Sequence, residues 1–130
     1  MKLLTLYSII SIMCMSHYLA THHKTYSYTK AVKKDARKLA EYYRQRVMRG
    51  ESMATIAKMY SEDPGSANNG GQYSNVIRGQ MVPEFETVAF RLKPNEVSEV
   101  FETTYGFEFI QLISRKGDVL NLRHVLITRD

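Results

Sequence analysis

The chain has 130 residues, of which 44% are hydrophobic and 24% charged, and its formal net charge is +5. This length leaves room for one small domain with appendages, and the apolar fraction is ordinary for a globular protein. The single cysteine is Cys14. A disulfide within the chain is therefore excluded.

The first residues have the layout of a secretory signal. Lys2 is followed by an uncharged, mostly apolar run at residues 3–15, which is too short for a comfortable membrane span. We interpret residues 1–20 as a signal peptide and expect export to the periplasm or cell envelope. Small side chains favour cleavage after Ser16 over cleavage after Ala20. An uncleaved leader is the alternative, and it is the one route by which we expect membrane association.

The next elements are a strand and two helices. Residues 25–29 are rich in β-formers and predict a short strand. Apolar side chains then recur at helical spacing from Val32 to Val47, and Gly50 is a natural stop. The same spacing predicts a second, shorter helix that begins at about Ser52.

The first helix is strongly basic. A stripe of this kind can bind nucleic acid, anionic lipid or acidic polypeptide, but a solvated helix face explains it more simply. Because we expect export, we expect no nucleic-acid partner. The basic residues are Lys30, Lys33, Lys34, Arg37, Lys38, Arg44, Arg46 and Arg49.

Turn residues separate the remaining elements, which are a strand, a helix opened by proline, a hairpin of two strands and one further strand. The order of elements predicts an α+β domain with one antiparallel sheet covered by helices. The predicted elements are residues 72–77, a helix from Pro83, residues 97–103, residues 107–114 and residues 119–128.

Four short motifs share an order and spacing. They are Tyr60-Ser61-Glu62-Asp63, Gly70-Gly71, Arg78-Gly79-Gln80-Met81-Val82-Pro83-Glu84-Phe85 and Thr104-Tyr105-Gly106-Phe107. From about Ala31 to Ser114, this pattern resembles the parvulin-type peptidyl-prolyl cis/trans isomerases. The resemblance implies a parvulin-like antiparallel four-stranded sheet covered by helices, in a domain at residues 24–115.

The resemblance also implies an activity. A parvulin binds unfolded or proline-containing polypeptide segments and accelerates rotation about the bond that precedes proline. No covalent bond is made or broken in that reaction, so we expect neither a metal nor another cofactor. A parvulin-fold chaperone module with weak or absent catalysis is the alternative.

Three residues are expected to bind the substrate. By resemblance, Met81 and Phe85 form the floor and wall of the proline pocket, and their spacing of four places them on the same side of a helix. They are equally compatible with plain core positions. Tyr73 stands where the family more often has an aliphatic residue, which implies a reshaped pocket.

Asp63 is the first candidate catalytic residue. By resemblance, its carboxylate lies near the substrate amide and favours loss of double-bond character. The alternative is an ordinary Asp-Pro-Gly turn, in which the aspartate caps local amides.

The other candidate catalytic residues are Thr103, Tyr105 and Glu108. Glu108 replaces one member of the histidine pair that lies beneath the site in most active parvulins, and the first strand near Tyr26 offers no histidine. Thr103 and Tyr105 retain hydroxyls for a smaller network. Glu108 near Asp63 would crowd like charge unless a base such as Arg78 lies between them.

The last strand has a separate interpretation. In residues 122–127, His124 precedes an apolar run and resembles the opening strand of a parvulin domain. We therefore predict that residues 119–130 begin a second parvulin copy, with domain recombination or a helper strand for the present sheet as alternatives. The four histidines, His17, His22, His23 and His124, lack metal-ligand spacing.

Overall fold

The computed structural model describes residues 35–129, which contain three α-helices and four β-strands. The helices are α1 (Ala36–Met48), α2 (Met53–Tyr60) and α3 (Pro83–Ala89). The strands are β1 (Gln72–Val76), β2 (Phe101–Glu102), β3 (Gly106–Lys116) and β4 (Val119–Thr128). The expected leader at residues 1–20 and strand at residues 25–29 lie outside the described residues.

Helices α2 and α3 begin where the sequence predicts, whereas α1 begins at Ala36 and not near Val32, because Asp35 has an extended backbone and caps the helix. The Asp35 carboxylate accepts a hydrogen bond from the Lys38 backbone at the start of α1, and Ser52 does the same for Thr55 at the start of α2. Such side-chain caps satisfy amides that have no partner within the helix. Pro83 occupies the first turn of α3, where its missing N–H is no loss. None of the helices described between residues 35 and 129 is long and apolar enough to cross a membrane.

The four strands form one antiparallel sheet in the order β1-β4-β3-β2. The predicted α+β class and the four-stranded antiparallel sheet covered by helices are therefore confirmed. The apolar side chains of α3 pack on one face of the sheet with Leu112 and Leu122. Val125 and Ile127 are buried on the opposite face, because side chains alternate along a strand, and α1 and α2 contact β3 and β4 there.

β4 lies at the centre of the sheet, paired with β3 on one side and β1 on the other. This is the arrangement expected if the last residues are a helper strand for the present sheet, which was one of the alternatives to a second parvulin copy. Two motif glycines lie where β4 passes. A Cβ at Gly71 would lie 2.2 Å from the His124 carbonyl oxygen, and one at Gly106 would lie 2.2 Å from that of Ile127. The glycine motifs at residues 70–71 and 105–106 therefore allow close approach of this strand, while the domain boundaries stay a prediction.

The strand predicted at residues 97–103 is shorter in the structure, where regular pairing covers Phe101–Glu102. The preceding residues still follow β3, but irregularly. Ser98 donates its backbone N–H to the Ile110 carbonyl, and its hydroxyl accepts from the Ile110 N–H. Because a side chain replaces one backbone acceptor, the regular ladder begins only after Ser98.

Candidate active site

A cavity of about 510 Å³ opens on the α3 side of the sheet. Six of the seven residues that the sequence assigns to the site line this cavity, and Thr103 lies behind it in contact with Glu108. His124, which the sequence analysis placed in a second domain, also lines it. The six are Asp63, Tyr73, Met81, Phe85, Tyr105 and Glu108.

One wall of the cavity is apolar. It is formed by Met81, Phe85 and Leu126, and Phe85 also belongs to the core, where 2% of it is exposed. Met81 is only partly buried and packs at the edge of that core. The Glu86 carboxylate holds the loop before α3, because one of its oxygens accepts from the backbone N–H of both Gly79 and Met81. Phe85 is thus both a core residue and a wall residue, whereas Met81 mainly faces the cavity.

The floor of the cavity is a hydrogen-bonded chain of charged groups. His124 Nδ1 lies 2.9 Å from Glu108 Oε2, and His124 Nε2 lies 2.9 Å from Asp63 Oδ2. Glu108 Oε1 in turn accepts a hydrogen bond of 2.7 Å from the Thr103 hydroxyl. Glu108 and His124 meet because β3 pairs Glu108 with Leu126, two residues beyond His124 on the same face of β4.

Asp63 is both a turn residue and a residue of the cavity lining. As a turn residue, it accepts from the Gly65 backbone N–H through Oδ1 at 3.2 Å. As a cavity residue, it accepts through Oδ2 from Ser66 Oγ at 2.5 Å and from the Tyr73 hydroxyl at 2.8 Å, besides His124. The Asp-Pro-Gly turn is therefore also the device that presents this carboxylate to the site.

The base between the two carboxylates is His124 and not Arg78. The guanidinium of Arg78 lies 4.1 Å from the centre of the Phe90 ring and 3.6 Å from the Asp118 carboxylate, away from this network. His124 is better placed, because β4 lies between β1 and β3 and the His124 ring reaches both Asp63 and Glu108.

This arrangement shifts the pKa values of its members. Burial by itself would lower the pKa of His124, but the hydrogen bonds with Glu108 and Asp63 outweigh burial and raise that pKa above its usual value. Burial would raise the pKa of Asp63, but hydrogen bonds from Ser66, His124 and Tyr73 outweigh it and lower the pKa to about 2. Asp63 is therefore ionised at neutral pH, and the cationic form of His124 is favoured.

The two tyrosines differ in their surroundings. Burial and the hydrogen bond to Asp63 raise the pKa of Tyr73 to about 12, so its phenol stays a donor. Tyr105 lies at the mouth with 62% of its surface exposed, and its backbone N–H donates to the Thr103 hydroxyl. Tyr105 thus presents a ring to the cavity mouth, whereas a hydroxyl network was expected.

Sequence reasoning missed two members of the floor. His124 was noticed as a histidine before an apolar run, but the chain order does not reveal the central position of its strand. Ser66 lies within the predicted turn and is 1% exposed, with its hydroxyl 2.9 Å from His124 Nε2. Its signal is faint, because a serine in a turn is ordinary.

Both ring nitrogens of His124 are engaged with carboxylates, which leaves neither free to bind a metal ion. In agreement, residues 35–129 contain no group of three or more histidine, cysteine, aspartate or glutamate side chains arranged to hold one. Nor does any buried side-chain nitrogen or oxygen in this range lack a hydrogen-bond partner. The floor is thus internally satisfied.

A comparison with known families decides the classification. Residues 17–114 match the family model described as Rotamase, PPIC-type PPIASE domain. The chain belongs to the PPIC-type, or parvulin, family of peptidyl-prolyl isomerase domains. The matched segment includes Asp63, Met81, Phe85 and Glu108 but ends before β4 and His124.

Individual relatives agree with this classification. The chain is 42% identical over 79 residues to the foldase protein PrsA 3 of Bacillus anthracis, covering 61% of this chain and 28% of that protein. It is 39% identical over 83 residues to the chaperone SurA of Pseudomonas savastanoi pv. phaseolicola, covering 64% of this chain and 19% of the relative.

A solved structure of the same family is similar as well. The crystal structure of the peptidylprolyl isomerase PrsA from Bacillus cereus matches with a TM-score of 0.59 and 39% identity, covering 62% of this chain and 31% of that one. The chain thus spans less than a third of the length of these three proteins.

Proposed function

We propose that this domain binds proline-containing segments of client polypeptides and accelerates cis/trans isomerisation of the bond before proline. One observation carries the proposal: an apolar wall of Met81, Phe85 and Leu126 lies in the same cavity as a charged floor centred on His124. The wall suits a proline ring, and the floor suits the peptide group attached to it. Membership of the parvulin family supports the same reaction.

The reaction makes and breaks no covalent bond. Rotation passes through a twisted amide roughly 18–20 kcal/mol above the planar form. A catalyst has only to bind the twisted amide more tightly than the planar ones. A largely enclosed apolar wall would hold the ring while the rest of the peptide bond rotates, and few waters would then compete for the amide.

Asp63 is the group that would act on the amide. Its carboxylate lines the cavity and is ionised at neutral pH, because its pKa is lowered to about 2. Negative charge beside the carbonyl carbon disfavours the charge-separated planar resonance form, which favours rotation. The Tyr73 hydroxyl donates to the same carboxylate and would fix its orientation.

Glu108 and Thr103 would act indirectly, by holding His124. Glu108 accepts a hydrogen bond from the Thr103 hydroxyl and is hydrogen-bonded to Nδ1 of His124. It would therefore fix the imidazole with Nε2 towards Asp63. In this scheme Glu108 takes the structural place of the missing histidine of the pair. We propose that the loss of that histidine does not abolish the site, because a carboxylate also bonds an imidazolium well.

The biological setting is proposed from two observations. The relatives carry the names foldase and chaperone, which fits the binding of unfolded clients. The sequence opens with the signal-like layout at residues 1–20, which favours export. We propose that the clients are unfolded segments of exported proteins outside the cytoplasm, and that the protein needs no small-molecule cofactor.

The test is exchange NMR on a short proline peptide, which reads the isomerisation rate and the binding in one sample. We expect catalysis above the uncatalysed rate, and for Asp63→Asn a loss of at least about tenfold in kcat/KM, ~1.4 kcal/mol, with binding retained. Asp118→Asn is the matched control, because Asp118 is an exposed carboxylate outside the cavity. Binding without any rate enhancement in the unmodified protein would reject the enzyme and favour the chaperone module.

A further inference from the structure

Ser66 is a buried serine in the turn that follows Asp63, and only 1% of its surface is exposed. Its hydroxyl oxygen lies 2.5 Å from Asp63 Oδ2 and 2.9 Å from His124 Nε2. Those two atoms lie 2.9 Å from each other, so the three side chains form a closed triangle of short contacts. A buried hydroxyl thus contacts both groups on which the proposed catalysis depends.

The backbone fixes the place of this hydroxyl. The Ser66 carbonyl accepts hydrogen bonds from the N–H groups of Asn69 and Gly71, at 2.9 and 2.8 Å. The Gly71 carbonyl in turn accepts from the His124 N–H at 2.9 Å. Ser66 is therefore joined to His124 twice, through Gly71 along the backbone and directly through its side chain. These bonds hold the turn against β4, with the hydroxyl between Asp63 and His124.

The number of hydrogens decides the direction of each contact. An ionised carboxylate only accepts, whereas a hydroxyl has one hydrogen to donate and lone pairs that accept. Because Asp63 is ionised at neutral pH, the single Ser66 hydrogen points to it. The Ser66 oxygen is then left to accept from His124 Nε2–H, while the Glu108 carboxylate takes the N–H at Nδ1. The imidazolium form of His124 satisfies all of these contacts, and a neutral imidazole leaves one ring nitrogen bare against a carboxylate.

We infer that Ser66 is a positioning residue, which holds the Asp63 carboxylate and the His124 imidazolium in the arrangement that serves isomerisation. This inference rests on the proposed function, in which Asp63 acts on the substrate amide. Ser66 is not among the described residues that line the cavity, so it acts through Asp63 and does not touch the peptide. The Tyr73 hydroxyl, which does line the cavity, donates to the same oxygen of Asp63.

Loss of the Ser66 hydroxyl has a defined electrostatic consequence. Burial opposes ionisation of Asp63, but its hydrogen-bond donors, Ser66 first among them, outweigh burial and lower the pKa to about 2. Without Ser66 that pKa should rise, because one donor to the charged form is gone. The other titratable side chains around this carboxylate stay in place. They are Tyr73 on β1, His124 on β4 and, beyond the imidazole, Glu108 on β3.

The experiment compares Ser66→Ala with Ser98→Ala in the full chain. Ser98 is the matched control, because it is a second buried serine, 6% exposed, whose hydroxyl bonds only the backbone of Glu99 and Ile110. Exchange NMR at several concentrations of a proline peptide gives kcat and KM. We expect Ser66→Ala to lower kcat about tenfold with KM changed less than twofold, and Ser98→Ala to change neither. Both variants should have a lower thermal midpoint. An unchanged kcat in Ser66→Ala, or an equal fall in both variants, would overturn the inference.

Two further NMR signals read the positioning without any turnover. In the unmodified protein at neutral pH, the nitrogen shifts of His124 should show both ring nitrogens protonated. The Asp63 carboxyl should titrate at lower pH there than in Ser66→Ala, and Ser66→Thr, which keeps a hydroxyl, should restore the lower value. A bare Nε2 on His124 would contradict the inference, because the Ser66 hydrogen would then point to the imidazole. So would an Asp63 titration that Ser66→Ala leaves unmoved.

Two remaining outcomes are also decided. If Ser66→Ala does not fold, Ser66→Cys fills the same space with a weak donor and should show the same fall in kcat. If the unmodified protein binds the peptide without any rate enhancement, the proposed catalysis fails. The His124 and Asp63 signals then still show whether Ser66 holds the two groups.

Discussion

The apolar wall and the charged floor of the cavity are built in opposite ways. Met81 and Phe85 of the wall are neighbours in the sequence, held by the start of α3. The floor joins Asp63 to His124 across 61 residues and Glu108 to His124 across 16. Met81 and Phe85 therefore depend on a local segment, the loop before α3 and its first turn, whereas Leu126 of the wall and the whole floor require β4 to lie between β1 and β3. Binding of the proline ring should accordingly tolerate changes in the sheet better than catalysis at the amide does.

The two regions also differ in energetics. Burial of apolar area stabilises the wall directly, at roughly 25 cal/mol per Å² removed from water. The floor buries Glu108 and His124, at 3% and 4% exposure, and charge desolvation offsets much of their attraction. Removing one partner of such a pair costs more than the intact pair contributes.

The largest effect is expected from truncation before Val119. This removes β4, which lies between β1 and β3, and with it both Leu126 of the wall and His124 of the floor. β1 and β3 would lose their shared partner, so we expect the domain not to fold. Circular dichroism and thermal unfolding check this. Truncation after Thr128 is the control and should retain a cooperative transition. A folded protein that ends at Asp118 would show that the strand is an accessory.

Next in size is His124→Ala. It leaves the Asp63 and Glu108 carboxylates without the cation between them, and we expect a loss of about 3–5 kcal/mol in the free energy of unfolding. Adding Glu108→Ala should cost little more, because the more buried of the two orphaned carboxylates is then gone. Urea titrations of the two single variants and the double variant measure this coupling. Strictly additive losses would mean that the two side chains act independently.

A change of pH should separate the floor from the wall without any mutation. His124 is the one histidine in residues 35–129, and its pKa is raised in the folded state. Its stabilisation is therefore complete below its unfolded pKa of about 6.5 and is lost as pH rises through the higher folded pKa. Asp63 acts at the other end, where its stabilisation is present above about pH 4 and is lost as pH falls towards its folded pKa of about 2.

The measurement is the free energy of unfolding against pH at constant salt. We expect the highest stability between about pH 4 and 6.5. In His124→Gln, which has no titrating imidazole, the decline on the alkaline side should become shallower. An unchanged alkaline slope in that variant would assign the decline to another group.

The smallest effect on stability is expected at Met81 of the wall. Met81→Ala should weaken proline-peptide binding by about tenfold, ~1.4 kcal/mol, because its side chain loses the apolar contact with the ring. Met81 is only partly buried at the core edge, so the thermal midpoint should change little. Met59→Ala is the matched control, because Met59 is 63% exposed and lies on α2. Phe85→Ala, by contrast, should cost about 3–5 kcal/mol in folding, since Phe85 is 2% exposed. If Met81→Ala leaves peptide binding unaltered, Met81 does not contact the bound proline.

Much of the scaffold followed from local signals. The caps at Asp35 and Ser52 and the proline at position 83 start helices because each satisfies or avoids a backbone amide at the first turn. The range 119–128 was predicted as a strand with its observed bounds. Residues 97–103 were less predictable, since Asn95 takes a positive φ of 68° and Ser98 interrupts the ladder with its hydroxyl.

Spacings of a few residues were enough to predict the α+β class, the starts of α2 and α3, and Met81 and Phe85 of the wall. Long-range pairing, in contrast, places β4 between β1 and β3, requires Gly71 and Gly106 to make room for it, and brings His124 between Asp63 and Glu108. The physical reason is that strand order within a sheet is set by which edges can bury the most apolar surface and pair the most amides. The order of the strands along the chain does not show which edges will pair.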